Sequence, residues 1–262
     1  MQPAALVFWR TLLASALFFL FCGLLNPQLL RLPRRQAALA LGAGSILGLH
    51  WLCFFGAITV SNVSVGLAGF AATSLFTALL EPLLHRRRPE VRKVSLALLV
   101  AIGIALIACS KTDVPHAMLG LSFALVGALL AAIYSTWSKS LVTLSVPGPT
   151  LMLYQMPASC LVSFLAMLAL PIFPWEAPQT SDWLPLLVLS VICTFVAYLW
   201  FAHLLKHVTA YTVNLTINFE PVYGMLMAAA LFREYEALTP LFYLGTSTII
   251  AANILHAKQP DH

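Results

Sequence analysis

The sequence predicts an all-α, polytopic membrane protein with nine transmembrane helices, arranged as two inverted-topology repeats of four and five helices. The composition is 61% hydrophobic and only 9% charged, with a mean hydropathy of +0.92. Soluble domains are about half apolar and about a quarter charged, so a water-facing surface is excluded. The apolar residues fall in repeated runs of about 20 residues, the length of a transmembrane helix. The order and lengths of these runs also repeat between the two parts of the chain.

Nine apolar runs follow one another, and proline, glycine or asparagine marks the connections between them. The runs cover residues 3–25, 36–60, 62–84, 94–110, 117–138, 149–171, 183–205, 209–232 and 238–257. No connection is long enough to form a soluble domain. The segment 172–182 is the most loop-like, and Trp175 and Trp183 are predicted to anchor it at the membrane interface.

Basic residues lie mainly in the connections, so the net charge of +5 is interpreted as membrane topology and no nucleic-acid partner is expected. Connections after odd-numbered runs carry most of them: Arg31, Arg34, Arg35, Arg86, Arg87, Arg88, Arg92, Lys93, Lys139, Lys206 and Lys258. The opposite face carries Lys111 and Arg233. The positive-inside rule then predicts a multi-pass protein of the cell (inner or plasma) membrane with a cytoplasmic C-terminus. The first run is followed by a basic flank typical of a retained span, not of a cleaved signal peptide.

An internal repeat with an offset of 146 residues pairs Pro3 with Pro149 and Phe55 with Phe201. It predicts a first half at 1–112 with four helices and a second half at 113–262 with five. The fifth run, 117–138, has no partner in the first half. A complete two-fold repeat would need one more helix before residue 1.

The eighth run carries polar side chains on two helical faces, and such residues inside a span are functional candidates. Tyr211, Asn214 and Asn218 recur at i, i+3 and i+7, so they share one face and are predicted to contact a bound solute. Glu220 lies on the second face beside Pro221, which removes a backbone donor. Glu220 is interpreted as a residue that tunes this helix or couples it to protons.

Further candidates combine an aromatic body with a polar or titratable group near the middle of a run. The predicted substrate-binding residues on other runs are His50, Trp51, Phe54, Tyr134, Trp137, Thr194 and Tyr198. His50 can titrate near neutral pH, so it is the second coupling candidate. Ordinary helix packing remains open as the alternative for each of these residues.

Several charged or ligand-type residues are interpreted as structural. Arg10 is predicted to snorkel towards the outer face, and Glu81 to form an ion pair with the basic segment 85–88. His203 and His207 are spaced i, i+4 but are assigned to the interface, so no metal and no cofactor are expected. The five cysteines lie in apolar runs without metal-type spacing. No clustered nucleophile or acid pair indicates an enzyme.

Three stretches resemble the EamA-type branch of the drug/metabolite transporter superfamily. They are PAALVFWRTLLASALFF (3–19), TSLFTALLEPLLHRRRPEVRKVSLALLVAIGIALIA (73–108) and FEPVYGMLMAAALFREYEALTPLFYLGTSTIIAANIL (219–255). The resemblance implies ten helices in two five-helix halves, of which this chain lacks the first. It also implies a secondary-active transporter that exports or exchanges a small polar, amino acid-like or amine/drug-like metabolite by alternating access. A truncated or non-transporting member of the family is the alternative, and an intramembrane enzyme is a weaker one. The expected partners are the lipid bilayer and a small-molecule substrate, with a homodimer also considered.

Overall fold

A computed structural model describes residues 1–84, 90–109, 114–169, 175–217, 227, 231 and 239–258. Within these residues the chain forms helices and turns and contains no β-strand, as the all-α prediction requires. Numbered in chain order, the α-helices are α1 (Pro3–Leu25), α2 (Arg34–Val60), α3 (Val63–Phe70), α4 (Thr73–Leu84), α5 (Val91–Cys109), α6 (Ala117–Thr143), α7 (Gly148–Ala169), α8 (Trp183–Ser190), α9 (Ala197–His207), α10 (Ala210–Ile217) and α11 (Pro240–Ala257). Short 3-10 segments lie at Pro27–Leu30 and Thr180–Asp182, and a π-helical segment at Val191–Val196 joins α8 to α9.

In the described part of the chain, six stretches are long and apolar enough to cross a membrane. They are Pro3–Leu25, Arg34–Val60, Val63–Leu84, Ala117–Thr143, Gly148–Ala169 and Thr180–His207. The eighth predicted run extends into residues 218–226, which are not described. The count of nine helices and the inverted relation of the repeats therefore stay predictions.

The third span is broken between α3 and α4, where the sequence predicts one continuous run. Asn62 starts α3 as its N-cap and accepts a hydrogen bond from the Val65 N–H at 2.9 Å. At the break, the Thr73 hydroxyl donates to the Phe70 carbonyl at 2.7 Å, and the Ser74 hydroxyl donates to the Ala71 carbonyl at 3.3 Å. These hydroxyls satisfy backbone acceptors that would be costly to leave unpaired inside a membrane.

The chain forms two compact units. Unit 1 contains residues 1–52 and 137–209, and unit 2 contains residues 53–136 and 210–262. Each unit therefore combines helices from both predicted sequence halves, and the half boundary at 112–113 stays a prediction.

Small residues let helices approach closely in both units, as is common in membranes. In unit 1, Gly44 and Gly48 on α2 face Gln155 and Ser159 on α7. The Ser159 hydroxyl donates to the Gly44 carbonyl at 2.6 Å. In unit 2, Gly103 on α5 packs against α11, where an added Cβ would lie 2.7 Å from the Gly245 carbonyl oxygen.

Charged side chains cap helix ends in each unit. In unit 1, the Lys139 ammonium donates to the carbonyls of Leu205 and Val208 at 2.7 and 2.9 Å, at the C-terminal end of α9. In unit 2, the two carboxylate oxygens of Glu81 accept hydrogen bonds from the N–H groups of Ala210 and Tyr211, each at 3.1 Å. Both charges complement the helix dipole at the end they contact.

Glu81 is therefore the anionic cap of α10. Its predicted ion-pair partners at 85–88 lie outside the described residues.

An aromatic cluster lies at the N-terminal end of α1 in unit 1. Trp9 packs against Trp175 and Trp183 at centroid distances of 5.9 and 6.2 Å, and its indole N–H donates to the Glu176 carbonyl at 3.0 Å. Trp175 and Trp183 are 55% and 41% exposed. Their exposed indoles are placed as the predicted interfacial anchors would be.

Candidate functional site

Arg10 is buried within unit 1 and is only 5% exposed. Its Nε–H and an Nη2–H donate to the Thr194 hydroxyl oxygen at 3.1 and 2.9 Å. Its guanidinium carbon lies 4.2 Å from the ring centroid of Trp51. Because the head group is enclosed by these side chains, the snorkelling interpretation is wrong.

Thr194 holds Arg10 from the π-helical segment Val191–Val196. Its hydroxyl donates to the Leu189 carbonyl at 2.7 Å, five residues earlier, and the side chain is fully buried. A hydroxyl has one hydrogen and two lone pairs, so this bond leaves its oxygen as an acceptor for the guanidinium. Single π-helical turns are rare and are frequently found at functional sites.

Aromatic rings complete this part of unit 1. The Trp51 ring, 4% exposed, meets the Tyr198 ring edge-on at a centroid distance of 5.5 Å. Tyr198 in turn packs against Phe201 at 5.8 Å. We call Arg10, Trp51, Thr194 and Tyr198 the arginine site. It combines one cation, an accepting hydroxyl and two rings whose faces and edges can contact a solute.

The arginine site joins residues that the sequence singled out separately. Trp51, Thr194 and Tyr198 were predicted to line a binding site, whereas Arg10 was not. A charged residue within a span was the signal for it, since such residues are functional candidates by default. His50, the residue before Trp51, is also buried in unit 1 at 6% exposure. Trp137 of unit 1 lies elsewhere, over Gly42, where an added Cβ would be 3.3 Å from its ring.

Asn214 connects three helices of unit 2. Its amide nitrogen donates to the Thr77 hydroxyl at 2.8 Å and to the Ser135 hydroxyl at 2.6 Å. Those hydroxyls donate to the carbonyls of Thr73 and Ala132, at 2.7 and 3.1 Å, so they can only accept from Asn214. The hydrogen bonds therefore orient the amide, with its nitrogen towards α4 and α6. Oδ1 is the part of the side chain left to meet a solute.

Alanine at Asn214 and at Ser135 should show a favourable coupling in a double-mutant cycle. Interhelical hydrogen bonds in membrane proteins average about 0.6 kcal/mol and reach about 1.7 kcal/mol. We expect a coupling in this range from thermal or denaturant unfolding of the purified protein. Ser122 is the matched control, because it lies on α6 but bonds the Met118 carbonyl of its own helix. Ser122→Ala should be additive with Asn214→Ala, and a zero coupling for Ser135 would contradict the network.

Tyr211 borders a small cavity in unit 2. The ring is 4% exposed, and the Lys93 ammonium lies 5.3 Å from its centroid. The cavity of about 10 Å³ is lined by Ser74, Ala78, Lys93 and Tyr211, together with Leu75, Leu96, Val100 and Ala252. That volume suits about one water molecule, so a metabolite does not fit it as it stands.

The remaining predicted residues of unit 2 are Phe54 and Tyr134. Phe54 packs against Phe70 at a centroid distance of 5.2 Å, and Tyr134 is buried at 4% exposure. Asn218 and Glu220 lie outside the described residues, so the predicted roles of both are untested.

Ligand-type residues in the described ranges do not form a metal centre. No group of three or more His, Cys, Asp or Glu side chains is close enough there to hold an ion. His203 and His207 are exposed near the end of α9, with ring centroids 5.0 Å apart. Cys22, Cys53, Cys160 and Cys193 are free thiols.

Membrane-length helices with buried arginine, asparagine and aromatic side chains define a multi-pass membrane protein of the kind that moves solutes. The sequence profile of the EamA-like transporter family matches residues 1–109 and 118–256. The chain belongs to the EamA-like transporter family. The predicted resemblance is thereby confirmed, and the family is one of transporters, not of enzymes.

Solved structures show the same fold. One, titled "Crystal structure of protein", superposes with a TM-score of 0.70 at 18% sequence identity. The match covers 98% of this chain and 88% of the other. No curated protein matches the sequence.

Proposed function

We propose that the protein is a secondary-active transporter that exports or exchanges a small polar metabolite by alternating access. The arginine site is the observation that carries this proposal. A buried cation in a membrane span costs roughly 2.5–3.5 kcal/mol on insertion scales, so such residues are usually retained for a function. Secondary transporters bind solutes within the membrane on side chains and helix breaks of this kind. We place the protein in the inner or plasma membrane with its C-terminus in the cytoplasm, on the distribution of basic residues.

Solute exchange in proteoliposomes tests the proposal. The purified chain is reconstituted, loaded with one unlabelled solute at a time, and assayed for counterflow of the labelled form. The panel contains amino acids and organic amines of similar size. Flux of at least one solute above protein-free vesicles is expected. If none exchanges, the non-transporting alternative is favoured instead.

Trp51→Leu should lower the initial exchange rate roughly 3- to 30-fold, because cation–π contacts are worth about 0.5–2 kcal/mol. The change removes the ring that orients Arg10. Trp200→Leu is the matched control, since Trp200 is 67% exposed on α9 in the same unit. Equal rates for the two variants would argue against a role of the arginine site in transport.

Coupling to protons is part of the proposal and involves His50 and Glu220. The buried imidazole of His50 can change charge near neutral pH. Exchange and net flux are measured with and without an imposed pH gradient. Net flux that follows the gradient in the wild type, and no longer does so in Glu220→Gln, would support Glu220 as the coupling group. If the gradient response is unchanged in that variant, Glu220 is not the proton site.

A further inference from the structure

We infer that the arginine site binds the carboxylate group of the transported solute. This inference rests on the proposed transport function and narrows its substrate class. It favours amino acid-like and other carboxylate-bearing metabolites over amine or drug-like cations. Arg10 is the anchoring residue, and Thr194 and Trp51 set the direction of its guanidinium.

The guanidinium is held on one edge and one face. Thr194 accepts from Nε–H and from one Nη2–H, so it occupies the Nε–Nη2 edge. Trp51 covers a face, with its ring centroid 4.2 Å from the guanidinium carbon. An arginine side chain has five N–H groups in one plane, and the other three lie on Nη1 and Nη2. That end of the group has the fork geometry that matches the two oxygens of a carboxylate.

The support behind Arg10 is rigid. Thr194 is itself fixed by its hydrogen bond to the Leu189 carbonyl, and Trp51 is fixed by its edge contact with Tyr198. Arg10, Trp51 and Thr194 are each at most 5% exposed. A donor group held in place before the ligand arrives loses little side-chain freedom on binding, which raises affinity.

Charge selects the solute. Thr194 and Trp51 contribute no negative charge, so the cation of Arg10 attracts an anion and repels an ammonium group in this low-dielectric setting. The Tyr198 ring lies beside Trp51 and offers an apolar and aromatic surface to the rest of the solute. A lone arginine suits a monoanion such as a carboxylate.

Matched ligands test the assignment directly. The full-length purified protein is titrated with leucine, 4-methylpentanoate and 3-methylbutylamine, and with phenylalanine, 3-phenylpropionate and phenethylamine. Binding is read from the ligand-dependent rise in thermal stability, which any ligand of the folded state produces. At least one acid or amino acid should bind, and its amine counterpart should not.

Variants of Arg10 and Thr194 locate the site. Arg10→Gln should weaken carboxylate binding by roughly 10-fold or more, because it removes a charged hydrogen-bonding partner. Arg10→Lys should recover only part of the affinity, since lysine keeps the charge without the planar fork. Thr194→Val should weaken binding and Thr194→Ser should retain it. Arg34→Gln makes the same chemical change at an exposed arginine and should have no effect.

Three results would overturn the assignment. They are binding of the amines as tightly as the acids, no binding by any carboxylate of the panel, or unchanged carboxylate affinity in folded Arg10→Gln. The wild-type comparison of acids with amines needs no variant, so it stands even if Arg10→Gln does not fold.

The transport proposal fails separately from the carboxylate assignment. Exchange of amines that is independent of Arg10 would leave transport standing and remove the carboxylate site. Arg10-dependent carboxylate binding without exchange of any solute would do the reverse.

Discussion

Gly44→Val should leave little folded, monodisperse protein. An added Cβ at Gly44 would meet the backbone carbonyl of Gln155 and lie 2.5 Å from its Cα. Carbon atoms prefer separations of about 3.5–4.0 Å, and a backbone cannot rotate away as a side chain can. Helices α2 and α7 would have to move apart within unit 1. The Ser159 hydrogen bond to the Gly44 carbonyl would be lost with that contact.

The expected loss of stability for Gly44→Val is about 3 kcal/mol or more, the upper end for overpacked sites. Size-exclusion profiles and thermal unfolding in detergent measure it. Gly23→Val is the matched control, because nothing lies within 4 Å of an added Cβ at that helical glycine. Gly44→Ala should be intermediate. A Gly44→Val protein as stable as the control would show that α2 and α7 are not packed as described.

Glu81→Ala should destabilise unit 2 by about 2 kcal/mol, within the range for charged caps and charge-assisted hydrogen bonds. The change leaves the first N–H groups of α10, at Ala210 and Tyr211, without the carboxylate that accepts them. Since α10 also carries Asn214, binding or transport that needs this helix should fall as well. Thermal unfolding of the purified protein measures the first effect and vesicle exchange the second.

Glu90→Ala is the control for Glu81→Ala. Glu90 is 66% exposed and pairs only with Lys93, three residues later, at 3.1 Å. Such surface pairs contribute about 0.3–0.5 kcal/mol. Equal losses for the two variants would mean that Glu81 acts as an ordinary surface charge.

Helix positions were the most predictable part of the fold, because hydropathy is a local property of the sequence. The run 3–25 coincides with α1, and the runs 36–60 and 117–138 lie inside α2 and α6. The break at 71–72 was not predictable from the same property. Two alanines, which favour helix, occupy it, so its position depends on packing and on the hydroxyls of Thr73 and Ser74.

The candidate site was only partly predictable for a related reason. Trp51 and Thr194 were identified by residue type and depth in their runs. Arg10 was assigned to the membrane surface, because its distance along α1 says nothing about which side chains face it. The contact between Gly44 and α7 was also missed, although a G-x-x-x-G spacing from Gly44 to Gly48 is its signal in membrane helices.

The π-helical segment makes chain length at one point a determinant of orientation. A residue of α-helix advances by about 100° around the axis, and a π turn accommodates one extra residue in a turn. Removing one residue between α8 and α9 would restore regular helix and rotate everything after it by about that angle. Tyr198 and the Lys139-capped end of α9 would then face other directions, with no side chain replaced. A deletion here would thus change the phase of a whole helix, which no point substitution at the same position does.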